Sequence, residues 1–295
     1  MHKRIALLFF VLPFSFLSAH DFGTDLGYRC GDSLSAIGHI KKMVPETFVR
    51  LGQQALAPFA WNGGQWLMAG TVLGTSSASI ALDPWFDRQV KNINEKHPGY
   101  HRFSNLFTDM GDVYGVGTVA AFWTAGLLFG KPRAIETGVL VAEAVVCTGL
   151  WIRAGKMLSG RERPSSAYLS GVDGGIWYGP VPGWKALFGD ARYDAFPSGH
   201  TGTAFAIASV FAHQYQGDRP WVAWLVYPAA ALVGFTRTTL HKHWISDVLL
   251  GAATGFFVGR HVVKQHMQTH RKQKTWSFSP VFGNGSFQIA GVCTW

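Results

Sequence analysis

The sequence predicts an all-α, integral membrane helical bundle of about five or six spans, closed by a small C-terminal β-hairpin. Three observations carry this. The 295 residues are 48% hydrophobic and 15% charged, with 12 Trp and 22 Phe, far more apolar material than an acid-rich or disordered chain holds. The apolar residues gather into continuous runs that are long enough, or nearly so, to cross a hydrocarbon layer. The mean hydropathy is nonetheless only +0.12, so sizeable polar segments must lie outside the membrane.

In chain order, Lys3-Arg4, an apolar core over 5–17 and Ser18-Ala19 form a charged head, a short hydrophobic centre and a small-residue cleavage site. Residues 1–19 therefore read as a signal peptide or signal anchor. Residues 20–110 read as an exported N-terminal segment. It is polar and broken by Gly and Pro up to Gln54, apart from an amphipathic stretch over 37–51. It then holds one weak candidate span over 61–82, diluted by Asn62, Gln65 and Thr71.

Residues 111–264 contain five stronger candidates, at 113–129, 135–154, 201–215, 221–235 and 245–263. In the last, Gly251, Gly255 and Gly259 recur every fourth residue and give one helix face thin enough for a neighbour to approach closely. Residues 265–295 form a basic tail followed by Gly283-Asn284-Gly285 between loosely alternating flanks, a hairpin pattern.

The net charge of +9 is concentrated where it matters: Arg260, Lys264, Arg271, Lys272 and Lys274 follow the last apolar run, as a cytoplasmic anchor does. No basic run is interleaved with stacking aromatics, which excludes a nucleic-acid reading, and no obligatory protein partner is evident. Cys30, Cys147 and Cys293 allow at most one intramolecular disulfide and have no metal-ligand spacing.

Parity assigns a side. A cleaved signal leaves the mature N-terminus outside, and two spans return the chain outside at Lys156. The third span starts outside at His200, the fourth emerges near Arg237, and the fifth leaves the basic tail inside with Lys131 and Arg133. Both positive segments then obey the positive-inside rule. An uncleaved anchor gives the same result if 61–82 does not span.

Three clusters meet at that outer face. Lys156 and Arg163-Pro164 supply two cations able to hold phosphoryl oxygens. Ser198-Gly199-His200, at a helix start, offers a hydroxyl, backbone N–H groups and an imidazole that can protonate an alkoxide. His243 and Asp247 are four apart on a helix, so the carboxylate can hold one imidazole nitrogen and leave the other to attack phosphorus.

Lys156, six residues, Arg163-Pro164; Pro197-Ser198-Gly199-His200; Arg237, five residues, His243, three residues, Asp247: this order resembles the type 2 phosphatidic acid phosphatase superfamily, in its membrane lipid phosphatase branch, over about 113–263. The resemblance implies that His243 forms a phosphohistidine, Asp247 orients it, and His200 protonates the leaving oxygen and then activates water. It implies that Lys156, Arg163, Arg237, Ser198 and Gly199 bind the phosphoryl oxygens. It implies neither cofactor nor metal. Vanadium haloperoxidases share the motifs, and vanadate is expected to bind as a phosphate mimic.

Thr236 departs from the family's usual Ser before the arginine but keeps a hydroxyl. His241 falls outside the motif spacing.

The expected function is hydrolysis of a lipid phosphate or pyrophosphate monoester at the periplasmic face of a bacterial inner membrane. The alternatives are a phosphotransferase passing the phosphoryl group to another lipid, a nonspecific acid phosphatase, and a catalytically silent membrane scaffold. Segment 165–195, with Trp177, Tyr178 and Trp184 among glycines and prolines, reads either as an interfacial lid or as an ordinary loop. Glu136 and Glu143, seven apart on one candidate span, read either as marks of a polar path in the membrane or as bundle-facing hydrogen-bonding acids, and the remaining histidines as surface or interface residues.

Overall fold

The computed structural model describes residues 36–97, 99–108, 113–185, 190–272, 275–283 and 286–294. The expected signal segment at 1–19 and the polar stretch up to 35 lie outside them. Eleven helices and one hairpin are formed among the described residues: α1 (Ala36–Leu56), α2 (Gly63–Ile80), α3 (Asp83–Lys96), α4 (Gly99–Thr108), α5 (Val113–Leu128), α6 (Pro132–Ser159), α7 (Pro164–Ser170), α8 (Pro180–Gly183), α9 (Gly199–Gln214), α10 (Trp221–Thr239), α11 (Ile245–Lys272), β1 (Thr275–Gly283) and β2 (Ser286–Thr294). The five stronger apolar runs are α5, α6, α9, α10 and α11. The weak run at 61–82 is the continuous helix α2. Asn62 and Gln65, which dilute it, form its capping box: Asn62 Oδ1 accepts from the Gln65 N–H at 3.0 Å and Gln65 Oε1 from the Asn62 N–H at 2.9 Å.

The core lies where α6, α9 and α11 meet, with Leu140, Val141, Ala144 and Cys147 facing Ala206, Val210, Phe211, Val258, Val262 and Val263. The glycine face of α11 works as expected. A Cβ at Gly255 would lie 2.0 Å from the Gly202 carbonyl oxygen, and one at Gly259 would lie 2.7 Å from that of Ala206. Backbones thus touch, and Ser209 Oγ crosses the seam to donate to the Phe256 carbonyl at 2.9 Å. Ala204 and Ala208 pack α9 on Ala230 and Val233 of α10.

The outward faces stay apolar: Leu67, Leu128, Trp224 and Leu225 are all exposed. Among the described residues, one segment, Arg133–Ser159 of α6, combines the length and apolarity to cross a membrane by itself.

Polar residues collect at the two ends and at one level between. At the end away from the motifs, Arg133 forms a bidentate pair with Asp218 (2.7 and 2.8 Å), while Glu136 meets His266 and Gln214. His266, read from the sequence as a surface or interface residue, is buried. Midway, Glu143 is held by Arg50 of α1 at 2.5 Å. All three motif clusters sit at the opposite end. β1 and β2 pair antiparallel with Gly283 opposite Ser286; the expected Asn284-Gly285 turn lies outside the described residues.

Candidate active site

Helix ends build the site. α6 stops at Gly160, whose φ of 50° is left-handed and whose Cα lies so close to Gly179 that a Cβ would sit 2.4 Å from its carbonyl oxygen. Lys156 is thereby left in the last turn of α6. Arg161, Glu162 and Arg163 follow as a short connection, and Pro164 starts α7. Ser198 precedes α9 with extended backbone. Trp244 precedes α11, and Asp247, in its first turn, reaches back to accept the Trp244 N–H at 2.8 Å, one half of a capping box.

The segments are then pinned together. The Ser198 N–H donates to the Asp247 carbonyl at 3.0 Å and the Ala195 N–H to the Arg161 carbonyl at 3.1 Å. Gly155 leaves room for Pro197, whose Cδ would be 2.7 Å from a Cβ there.

Lys156, Arg163 and His243 gather around one carboxylate that the sequence did not single out. Asp194 Oδ1 lies 2.5 Å from Arg163 Nε, and Oδ2 accepts from Arg163 Nη2 at 2.8 Å and from Lys156 Nζ at 3.3 Å. Burial opposes ionisation of Asp194, but the Lys156 and Arg163 charges outweigh it and hold the carboxyl below its ordinary range. Arg237, at the end of α10, is buried, and its carbonyl accepts from the Lys242 and His243 N–H groups at 3.1 and 3.3 Å. Open space lies over Gly199, and His200 is partly exposed beside it.

His243 differs from expectation in one respect. Its Nδ1 is 2.7 Å from the Ala195 carbonyl oxygen and 3.7 Å from Asp247 Oδ2. A carbonyl only accepts, so Nδ1 carries the proton and Nε2 keeps its lone pair. The backbone, not Asp247, fixes the tautomer. Burial first, and then the Lys156, Arg163 and Arg237 charges, hold the imidazole well below its ordinary value of 6.5. The ring is therefore neutral and nucleophilic at pH 7.

Asp247 is turned toward Arg161. Arg161 Nη1 donates to Asp247 Oδ1 at 2.6 Å and to Ser246 Oγ at 2.7 Å; Nη2 donates to Asp83 Oδ2 at 2.6 Å and to the Gly174 carbonyl at 3.0 Å. The guanidinium also lies over the rings of Trp177 and Trp244. Arg161 and Asp83 escaped the sequence reading. The pair of arginines in Gly160-Arg161-Glu162-Arg163 was a usable signal for Arg161, but a lone acid at 83 carries none.

The Ser198 hydroxyl points elsewhere than expected, and the Thr236 hydroxyl is also taken. Ser198 Oγ is buried against α11 and pairs with Thr201 Oγ1 at 2.9 Å, and Thr236 Oγ1 donates to the Val233 carbonyl of its own helix at 2.7 Å. Short-range partners win both hydroxyls. His241 binds Asp87 at 2.8 Å and Tyr168 at 3.0 Å, joining α3 and α7 to the turn that carries His243. In segment 165–195, the buried Glu162 ties α7 to Arg192, accepting from Ser170 Oγ at 3.0 Å and Arg192 Nε at 3.2 Å.

The PAP2 superfamily matches the chain over residues 135–271. A lipid A 1-phosphatase of Porphyromonas gingivalis is 43% identical over 86 residues, 28% of this chain and 19% of that protein. A lipid A 1-phosphatase of Rhizobium etli is 31% identical over 118 residues, 40% of this chain and 45% of that protein. The chain thus spans less than half the length of either curated relative.

Two solved structures resemble it. The crystal structure of Aquifex aeolicus LpxE is 22% identical with a TM-score of 0.46, covering 62% of this chain and 95% of that one. The transmembrane PAP2-type phosphatidylglycerolphosphate phosphatase of Bacillus subtilis is 17% identical with a TM-score of 0.36, covering 79% and 96%. Residues 135–271, which hold all three motif segments in order, are a PAP2 superfamily domain.

Proposed function

We propose that the chain is an integral membrane phosphatase that hydrolyses the phosphate monoester of a lipid at the periplasmic face, through a phosphohistidine on His243. The observation that carries the reading is the Nδ1–Ala195 contact. It leaves Nε2 unprotonated in a buried site charged by Lys156, Arg163 and Arg237. Nε2 attacks phosphorus, the bond to the lipid oxygen breaks, and His200 gives that oxygen its proton. His200 then takes a proton from water, which attacks the phosphohistidine and frees phosphate and His243. The three cations and the first-turn amides of α9 stabilise the charge on the equatorial oxygens.

The membrane setting is supported by the apolar outward faces, and the side by the basic tail and Arg133 lying at the end away from the motifs. The activity of both curated relatives favours the 1-phosphate of lipid A as substrate. Orthovanadate, taking the place of the phosphoryl group, is expected to inhibit.

The test is phosphate release by purified protein in detergent with EDTA. It is run against lipid A and the phosphates of glycerolipids and polyprenols, without an acceptor lipid. Release from lipid A that His243→Ala abolishes supports the reading; turnover by His243→Ala refutes the mechanism.

A further inference from the structure

Two carboxylates share one guanidinium behind His243. The side chains of Asp83, Arg161 and Asp247 are 0% exposed, and the carboxylates are met by donors. Asp247 receives Arg161 Nη1 and the Trp244 N–H. Asp83 receives Arg161 Nη2, the Ser246 N–H at 3.0 Å and Ser246 Oγ at 2.5 Å. Ser246 Oγ accepts from Arg161 Nη1, so its proton is free to go to Asp83. As an acid, Asp83 could hand its proton only to Ser246 Oγ, which would leave the buried serine proton without an acceptor among these contacts, and Asp247 meets donors alone. Both groups are therefore anions, and the triad carries one negative charge in excess.

That excess faces a group that gains charge during the proposed reaction. When Nε2 of His243 bonds to phosphorus and the lipid oxygen leaves with its electron pair, Nδ1 keeps its proton on Ala195 and the ring becomes cationic. Lys156 of α6, Arg163 before α7 and Arg237 of α10 all oppose this, and Asp194 on the substrate side is already paired with two of them. Asp247 Oδ2, 3.7 Å from Nδ1, is the near end of the triad on the other side of the ring.

We propose that Asp83, acting through Arg161 and Asp247, is a positioning residue that supplies the surplus negative charge balancing the imidazolium of phosphorylated His243. It is contributed by α3, from the exported N-terminal segment and outside residues 135–271, so that segment completes the site. The inference rests on the phosphatase reading above and adds a residue to it.

Asp83→Asn removes the charge while nearly keeping the shape. Two measurements on the full-length protein in detergent decide the matter: the pH profile of lipid phosphate hydrolysis, and the titration of the His243 imidazole by 15N NMR, assigned with His243→Gln. Asp83→Asn is expected to lower kcat about tenfold with KM changed less than about threefold. It is also expected to move both the acid limb of kcat/KM and the His243 titration down by about half a unit to one unit.

A merely structural role would lower kcat or yield without moving the titration, and an unshifted His243 titration overturns the proposal, as does an unchanged kcat. If the wild type releases no phosphate from any lipid monoester, the phosphatase reading fails. The NMR comparison still decides whether Asp83 sets the charge behind His243.

Discussion

Asp194 offers the sharpest physical prediction, because its carboxylate occupies the cations that a phosphoryl group would need. Asp194→Asn leaves Lys156 and Arg163 without their counter-charge. Removing one partner of a fully buried ion pair costs about 3–5 kcal/mol. Here the Lys156, Arg163 and Asp194 side chains keep 11%, 17% and 13% exposure, and solvent reduces the loss to about 2 kcal/mol. In a chain of this size that lowers Tm by about 5 °C.

A free anion can replace the missing one. Millimolar inorganic phosphate is therefore expected to raise the Tm of Asp194→Asn more than that of the wild type, measured by thermal unfolding in detergent at pH 7. Equal phosphate shifts in the two proteins, or an unchanged Tm in the variant, would refute the assignment of Lys156 and Arg163 as an anion site guarded by Asp194. The pH dependence follows from the same pairing. The carboxyl is held below its ordinary value of 3.8, so the wild-type advantage is complete above that pH and disappears as pH falls through the lower folded value.

Other outcomes follow from the same geometry. Gly255→Ala forces a methyl toward the Gly202 carbonyl, 2.0 Å from the ideal Cβ position. It should cost about 2–3 kcal/mol in thermal unfolding, whereas Gly149→Ala, with nothing within 4 Å, should be neutral or stabilising. Because the folded value of His243 lies well below 6.5, kcat/KM should stay level as pH falls through 6.5 and decline only at lower pH. Stability should likewise decline as pH drops below 6.5, where the unfolded chain binds a proton that the buried imidazole refuses.

The parts of the fold that the sequence makes legible are those set by local or periodic forces. Apolar length marks α5, α6, α9, α10 and α11, and the fourth-residue glycines of α11 announce the α9 seam. The three motifs are legible because their residue types and spacings are set by the chemistry they share. The partners of those motifs are not. Asp194 finds Lys156 across 38 residues and Asp83 finds Arg161 across 78, and single acids in polar segments carry no period. The Ala195 carbonyl that fixes the His243 tautomer is a backbone atom, which no residue type can signal. The His243–Asp247 spacing suggested a direct hydrogen bond; capping of α11 and the Arg161 guanidinium compete for the same carboxylate and win.

The central claim is covalent chemistry at His243, and trapping tests it most directly. Purified protein is mixed with 32P-labelled lipid A, quenched in alkali within the first turnovers, digested and sequenced by mass spectrometry. An acid-labile, alkali-stable phosphoryl group is expected on the peptide carrying His243 and absent from His243→Ala. Hydrolysis proceeding in the wild type with no label on that peptide, or label on another residue, would contradict it.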